Sequence, residues 1–144
     1  MRLSVVIPAF NEADRIVTTL DRTLSYLGRC AFASEVLVVS DGSSDATAAV
    51  AGAFSTPPRV RLTCFEYHPN RGKGYAVRYG MRRGRGDVVM FMDADYAVPI
   101  EEVEKGLRLI EDGADIASAS RALPGSKITA RQNVFRELSA RIYT

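Results

Sequence analysis

The stretch from Asp87 to Asp95, DVVMFMDAD, constrains this chain most: an unbroken apolar run, Val88 to Met92, ends on two carboxylates separated only by Ala94. An apolar run without polar alternation is the pattern of a strand buried on both faces, as in a parallel sheet covered by helices. Such a strand is expected at the centre of its sheet. Open α/β sheets bind ligands in the crevice beyond the carboxyl ends of their strands, so Asp93 and Asp95 are delivered to where a ligand is expected. Two carboxylates there suit Mg²⁺ or Mn²⁺, hard cations that prefer oxygen, keep several waters and share their coordination with substrate phosphates. Taken alone, an Asp-x-Asp triplet fits a strand end with acidic turn residues equally well.

The remainder of the chain repeats this grammar. Leu3 to Ile7 is a short apolar run closed by Pro8; Asn11 then offers an N-cap with Asp14 three residues on, and Ile16, Leu20, Leu24 and Leu27 mark the inner face of a helix. Glu35 to Ser40 predicts a second strand, and Asp41 to Ser44 the turn and cap of an Ala-rich helix ending near Phe54. Past Pro57 and Pro58, Val60 to Phe65 predicts a third strand, His68 to Gly74 a loop, and Tyr75 to Gly80 a helix. Pro99 suits the first turn of a helix with Ile100, Val103, Leu107 and Ile110 at helical spacing, and Asp115 to Ser120 predicts one more strand. Strands alternating with helices define an α/β fold with a mostly parallel sheet and right-handed crossovers.

At 144 residues the chain is expected to be one domain with a respectable core. A net charge of +2 is too slight to argue for nucleic acid. Cys30 and Cys64 lack metal-ligand spacing and are expected to be reduced, buried and structural. No stretch approaches the ~20 apolar residues that cross a bilayer, and a chain that starts on a strand is expected to lack a targeting peptide. The first strand is followed by PAFNE, and Gly72-Lys73-Gly74 has neither a third glycine nor a following Ser or Thr. Rossmann and P-loop signatures are therefore excluded. The last segment, Ile128 to Thr144, has a helical stripe of Ile128, Val134, Phe135, Leu138 and Ile142, with Arg131 in its middle. Either the helix begins after Arg131, or this arginine reaches toward an anion or a membrane headgroup.

PAFNE at Pro8 to Glu12, SDGSSD at Ser40 to Asp45, NRGKG at Asn70 to Gly74 and DAD at Asp93 to Asp95 stand in one order. In them the chain resembles the family 2 glycosyltransferases of GT-A fold. More narrowly it is similar to polyprenyl- and dolichyl-phosphate sugar synthases, and to the dolichyl-phosphate β-glucosyltransferases among them, through NRGKGYAVRYG, VMFMDADYAVP and SRALPGSKITARQNVFR.

The resemblance implies a nucleotide-diphospho-sugar donor, a lipid phosphate acceptor, and a place at the cytoplasmic face of a membrane, in peripheral contact with it. Pro8, Ala9, Phe10 and Glu12 are then expected around the donor's base and ribose with Asp41. An acidic side chain can accept from a uracil or guanine N–H. Arg71 and Lys73 are expected near the phosphates. Asp95 is the expected metal ligand; Asp93, with Ala94 beside it, is expected as a ligand or a ribose contact. Arg121 with Arg131 or Arg136 would hold the acceptor phosphate, which guanidinium forks fit. His68, the single histidine, falls in a loop, where a surface role is expected.

Three departures qualify the pattern. Ser40 stands where many members carry the first Asp of a DDGS motif, weakening one expected contact to the base or ribose. Ala97 stands where mannosyl-transferring relatives often carry Gln, which favours UDP-glucose over GDP-mannose. Family members are longer, so a catalytic domain lacking its acceptor-side part is expected, and with it the alternative of a nucleotide-sugar-binding fragment without transfer activity. A sugar-phosphate nucleotidyltransferase would instead carry a Gly-rich loop with a basic residue directly after the first strand.

Overall fold

The computed structural model describes residues 2–119. Its order is β1 (Arg2–Ala9), α1 (Ala13–Arg29), β2 (Ala33–Asp41), α2 (Thr47–Gly52), β3 (Val60–Tyr67), α3 (Lys73–Met81), β4 (Val88–Phe91), a 3-10 turn (Ile100–Glu102) and α4 (Val103–Glu111). The described strands form a parallel sheet in the order β3-β2-β1-β4.

Alternation along each strand sorts side chains into two layers. Leu3, Val5, Ile7 and Ala9 of β1 and Val36 and Val38 of β2 face α1, α2, Ile100 and Leu107. Val6, Leu37 and Val39 face the other way, onto Ala76 of α3. The inner stripe expected for α1 holds, since Ile16, Leu20, Leu24 and Leu27 are all buried. Burying side chains of this size contributes about 1.5–3 kcal/mol each. On the opposite layer Gly80 lets α3 lie flat on the sheet, because a Cβ there would collide with Val6 and crowd Val39 at 3.1 Å.

Three expectations need correction. Among the described strands β4 lies at the edge and not at the centre: it pairs with β1 alone, and Phe91 is 49% exposed, while β1 and β2 form the buried middle. An apolar run reports low polarity, not the number of neighbours, and α3 lies over β1 and β2, leaving β4 partly bare. Asn11 does not cap α1. It takes a left-handed φ of 53°, helix positions start at Ala13, and its amide oxygen accepts from Ser44 N at 2.8 Å. Residues 115–119 form no strand, and Ile116 is 85% exposed with no described strand beside it to pair with. Cys30 and Cys64 are free thiols, as expected, and are only half-buried where burial is expected.

Candidate functional site

The chain steps outward from β1 to β2 to β3, then returns to the far side of β1 for β4. The switch point between β1 and β4 is where an open α/β sheet leaves a crevice at its carboxyl end. PAFNE follows β1 and DAD follows β4, so the two flank this crevice. SDGSSD leaves β2 alongside, with Ala9 opposite Ser40 in register.

The base-side corner is built from side chains that serve backbone. Asn11 N donates to Ser43 Oγ (3.1 Å), Glu12 N to Thr47 Oγ1 (2.9 Å) and Ala13 N to Asp45 Oδ2 (3.1 Å). These are donors at and just before the start of α1, and Ser43 and Asp45 of SDGSSD, with Thr47 at the start of α2, supply the oxygens across the chain instead of a local cap. Asp45 Oδ1 also accepts from Thr47 N (2.9 Å) and from the Thr47 hydroxyl. The Thr47 hydroxyl, ahead of burial acting the other way, holds the Asp45 carboxyl below the usual aspartate value. Ser40 is fully buried and bonds Ser43 Oγ at 3.0 Å, so the residue standing in place of an Asp knits the turn.

Within this corner Pro8 and Ala9 are buried and Phe10 is half exposed. Glu12 Oε2 is buried and has Arg15 Nε at 2.6 Å, a charge contact without hydrogen-bond alignment, which leaves an acceptor to offer. Asp41, nearly fully buried at the end of β2, accepts from Arg71 N at 2.8 Å, while Asn70 Nδ2 donates to Asp41 O at 2.8 Å. Gly42 makes this possible: its φ is +69°, and a Cβ there would strike the Asn70 backbone. Tyr67 is opposite Asp41 in register, with a buried hydroxyl that lacks an aligned partner among the described residues. Burial, and after it the Asp41 carboxylate, push that phenol's pKa up, so it stays neutral.

The acidic corner is set by alternation carried past β4. Met92 N donates to Val6 O, extending the ladder by one bond; Met92 and Ala94 turn inward, and Ala94 O accepts from Thr19 Oγ1 of α1 at 2.6 Å. Asp93 and Asp95 are thereby left facing solvent. Lys73 Nζ, from the first residue of α3, is 2.6 Å from Asp93 Oδ1 and ties the NRGKG loop to the acidic pair. Asp95 Oδ1 accepts from Ala97 N at 3.0 Å as the chain turns through Tyr96 in a left-handed conformation.

The chemistry of this donor set fits Mg²⁺ or Mn²⁺. Two exposed carboxylates are too few for a closed cage, and the described residues hold no cluster of three or more His, Cys, Asp or Glu that could form one. A cation drawing its other ligands from water and a diphosphate needs no more.

Of the expected site residues, the structure brings Pro8, Ala9, Phe10, Glu12, Asp41, Arg71, Lys73, Asp93, Ala94 and Asp95 to one end of the sheet. Arg121, Arg131 and Arg136 lie outside the described residues. His68 sits in the loop after β3, exposed, with Glu66 3.9 Å away. Sequence reasoning missed Asn11, Asp45, Asn70 and Tyr67. For Asp45 a signal existed, since Asp two residues before a Thr in a Gly-Ser turn is a local capping pattern.

Residues 4–143 of this parallel α/β chain match the model of Glycosyl transferase family 2; the chain belongs to that family. The dolichyl-phosphate beta-glucosyltransferase of Drosophila melanogaster is 38% identical over 96% of this chain, and that of Homo sapiens 37% over 95%. The chain spans 46% of the length of each. The undecaprenyl-phosphate 4-deoxy-4-formamido-L-arabinose transferase of Yersinia pestis is 28% identical over 98% of this chain and 41% of its own.

Among solved structures, a mannosyltransferase from Pyrobaculum calidifontis in complex with GDP-Man and Mn²⁺ superposes with a TM-score of 0.64 at 28% identity, over 78% of this chain and 33% of that one. Glucosyl-3-phosphoglycerate synthase of Mycobacterium tuberculosis in complex with UDP gives 0.55 at 26%, over 79% and 41%. The fold is GT-A.

Proposed function

We propose that the chain is the donor-binding part, residues 1–144, of a single GT-A domain that transfers a sugar with inversion to a polyprenyl or dolichyl phosphate. The donor we assign is UDP-glucose. The observation that carries the reading is the Lys73–Asp93 contact at 2.6 Å, which joins the loop expected at the donor phosphates to the acidic pair expected at the cation. Glucose is supported by two of the relatives, the dolichyl-phosphate beta-glucosyltransferases of Drosophila melanogaster and Homo sapiens. UDP is supported by the glucosyl-3-phosphoglycerate synthase structure in complex with it. The complex of the Pyrobaculum enzyme with GDP-Man favours a second reading, a GDP-mannose donor, which the test below separates.

In the reaction the bond from sugar C1 to the diphosphate oxygen breaks, and a bond from C1 to an oxygen of the lipid phosphate forms on the opposite face. The Asp41 and Glu12 carboxylates would receive N–H groups of the base, and Phe10 and Pro8 would line its apolar side. Lys73 and Arg71 would meet the charge that gathers on the departing diphosphate. Asp95, with Asp93, would hold a divalent cation whose role there is Lewis-acid stabilisation of the same charge. A phosphomonoester has a second pKa near ~6, so the acceptor is mostly dianionic at neutral pH and needs no general base. Arg121 with Arg131 or Arg136 would hold it, offsetting the repulsion between two anions brought close together.

Calorimetric titration of the chain with UDP-glucose and GDP-mannose, each with and without Mn²⁺, tests the donor; transfer to a polyprenyl phosphate tests the acceptor. We expect Mn²⁺-dependent binding of UDP-glucose. Binding of GDP-mannose alone moves the assignment to the mannosyl reading, and binding of neither under any condition overturns the donor site.

A further inference from the structure

We propose that the outer face of α3, with the loops at its two ends, is a docking surface for an anionic lipid membrane. Residues 67–86 carry Arg71, Lys73, Arg78, Arg82, Arg83 and Arg85 and no Asp or Glu. Taking these six from the chain's 19 basic residues leaves 13 against 17 acidic, so this segment is the basic side of an otherwise acidic molecule.

The arginines are held by rings instead of carboxylates. The Arg83 guanidinium lies 3.5 Å from the Tyr79 centroid and donates through Nη1 to Tyr79 O; Arg71 lies 4.9 Å from the Tyr75 centroid and donates to its hydroxyl, with Arg78 at 5.7 Å from the same ring. Tyr67, Tyr75, Tyr79 and Phe65 in turn pack on one another at centroid distances of 5.2–6.2 Å. A ring orients a guanidinium without cancelling its charge. None of Arg71, Arg78, Arg82 and Arg83 is in an ion pair within the described residues. Arg85 has its backbone N–H accepted by Glu35, and its side chain enters only the charge count above.

Aliphatic surface lies between these charges. A groove beside α3 is lined by Val77, Met81 and Phe91 with Lys73, Arg78 and Arg82 at its rim; Met81 is 39% and Phe91 49% exposed. Shallow apolar groups rimmed by cations match the headgroup boundary of an anionic bilayer, where stems bury and guanidinium heads take phosphates. A single-stranded nucleic acid would need open ring faces for stacking. Here Tyr75 and Tyr79 are already faced by arginine. The face begins at Lys73, beside Asp93, so docking would hold the edge of the crevice at the headgroup plane. The choice of a lipid partner also rests on the lipid-phosphate acceptor proposed above.

The test is co-sedimentation of the 144-residue chain with vesicles of phosphatidylcholine alone or mixed with phosphatidylglycerol, at low and high salt. These vesicles contain neither polyprenyl phosphate nor nucleotide sugar, so failure to dock leaves the transferase reading standing, and failure of transfer leaves docking measurable. We expect binding to the anionic vesicles only, released by salt. Removing a basic side chain near the surface lowers partition about fivefold (~1 kcal/mol). Arg78→Gln with Arg82→Gln should therefore lower it roughly twentyfold to thirtyfold, the paired Glu substitutions more, and Arg108→Glu on α4 not at all. Circular dichroism checks that each variant is folded, and the salt series on the unaltered chain stands independently of them. Equal binding to neutral vesicles, unchanged partition of the paired variants, or binding to single-stranded RNA without binding to anionic vesicles would each overturn the proposal.

Discussion

Around the ends of β1 and β2, Asn11, Ser43, Asp45 and Thr47 spend their side-chain oxygens on backbone N–H groups across the gap. After β4, Asp93 and Asp95 stand in solvent with one lysine and one backbone N–H as their recorded partners. The first corner ties its turn and helix starts together within the chain, leaving only Glu12 Oε2 and the Tyr67 hydroxyl without an aligned partner among the described residues, so its backbone is held before anything binds. The second gathers negative charge one residue apart and leaves most of it to be answered from outside. On the reading proposed above, a nucleoside diphosphate with its cation would span both corners, its neutral base at the preorganised one and its diphosphate, through the cation, at the charged one.

The contrast is sharpest at Asp95. Outer-sphere partners of a metal ligand already cost ~10–100-fold in affinity when removed, so Asp95→Asn should cost about a hundredfold or more in Mn²⁺-dependent donor binding. Because Asp95 is exposed, thermal stability in the absence of metal should be unchanged; a large fall in Tm would place the residue in the framework and break the comparison. Gly42→Ala should do the reverse. Its Cβ would strike the Asn70 backbone at a left-handed φ, and overpacking of this kind costs about 1–3 kcal/mol, read by urea unfolding.

Asp45→Ala removes an acceptor from the starts of both α1 and α2, at a cost of about 1 kcal/mol or somewhat more. Because the folded-state pKa of Asp45 is depressed, its contribution is fully present above the ordinary aspartate value near ~3.9 and is lost as pH falls. The stability gap between Asp45→Ala and the parent chain should close on acidification below that value. A constant gap would mean that Asp45 does not act as a carboxylate. The smallest effect belongs to Lys73→Met, whose exposed ion pair contributes less than about 1 kcal/mol to stability. It should instead weaken donor binding, and a stability loss exceeding the binding loss would contradict its place at the phosphates.

Much of this was legible in the sequence because strand ends and turn chemistry are local. The apolar runs and their order determine the α/β class, the Ile16 to Leu27 stripe reads directly, and the four motifs fall where parallel strands end. What failed depended on distant partners. Val88 to Met92 looks the same at the edge of a sheet as at its centre, and only the strand order decides. Asn11 has the composition of a cap, yet the cap of α1 comes from residues 43–47, more than thirty positions away in sequence. Residues 115–119 hold one strand-favouring side chain, Ile116, among Asp, Ala and Ser, and have no described neighbour to form a ladder with.

The most direct test of the two-corner account is calorimetry of UMP and UDP binding to the 144-residue chain, each with and without Mn²⁺. The two ligands share the base, the ribose and the α-phosphate, and UDP adds the β-phosphate that the acidic corner would meet through its cation. We predict that UMP binds weakly with little response to Mn²⁺, whereas UDP gains at least tenfold in affinity from Mn²⁺ and loses that gain in Asp95→Asn. Equal responses of both nucleotides to Mn²⁺, or a response of UDP that survives Asp95→Asn, would contradict the division of labour between the corners.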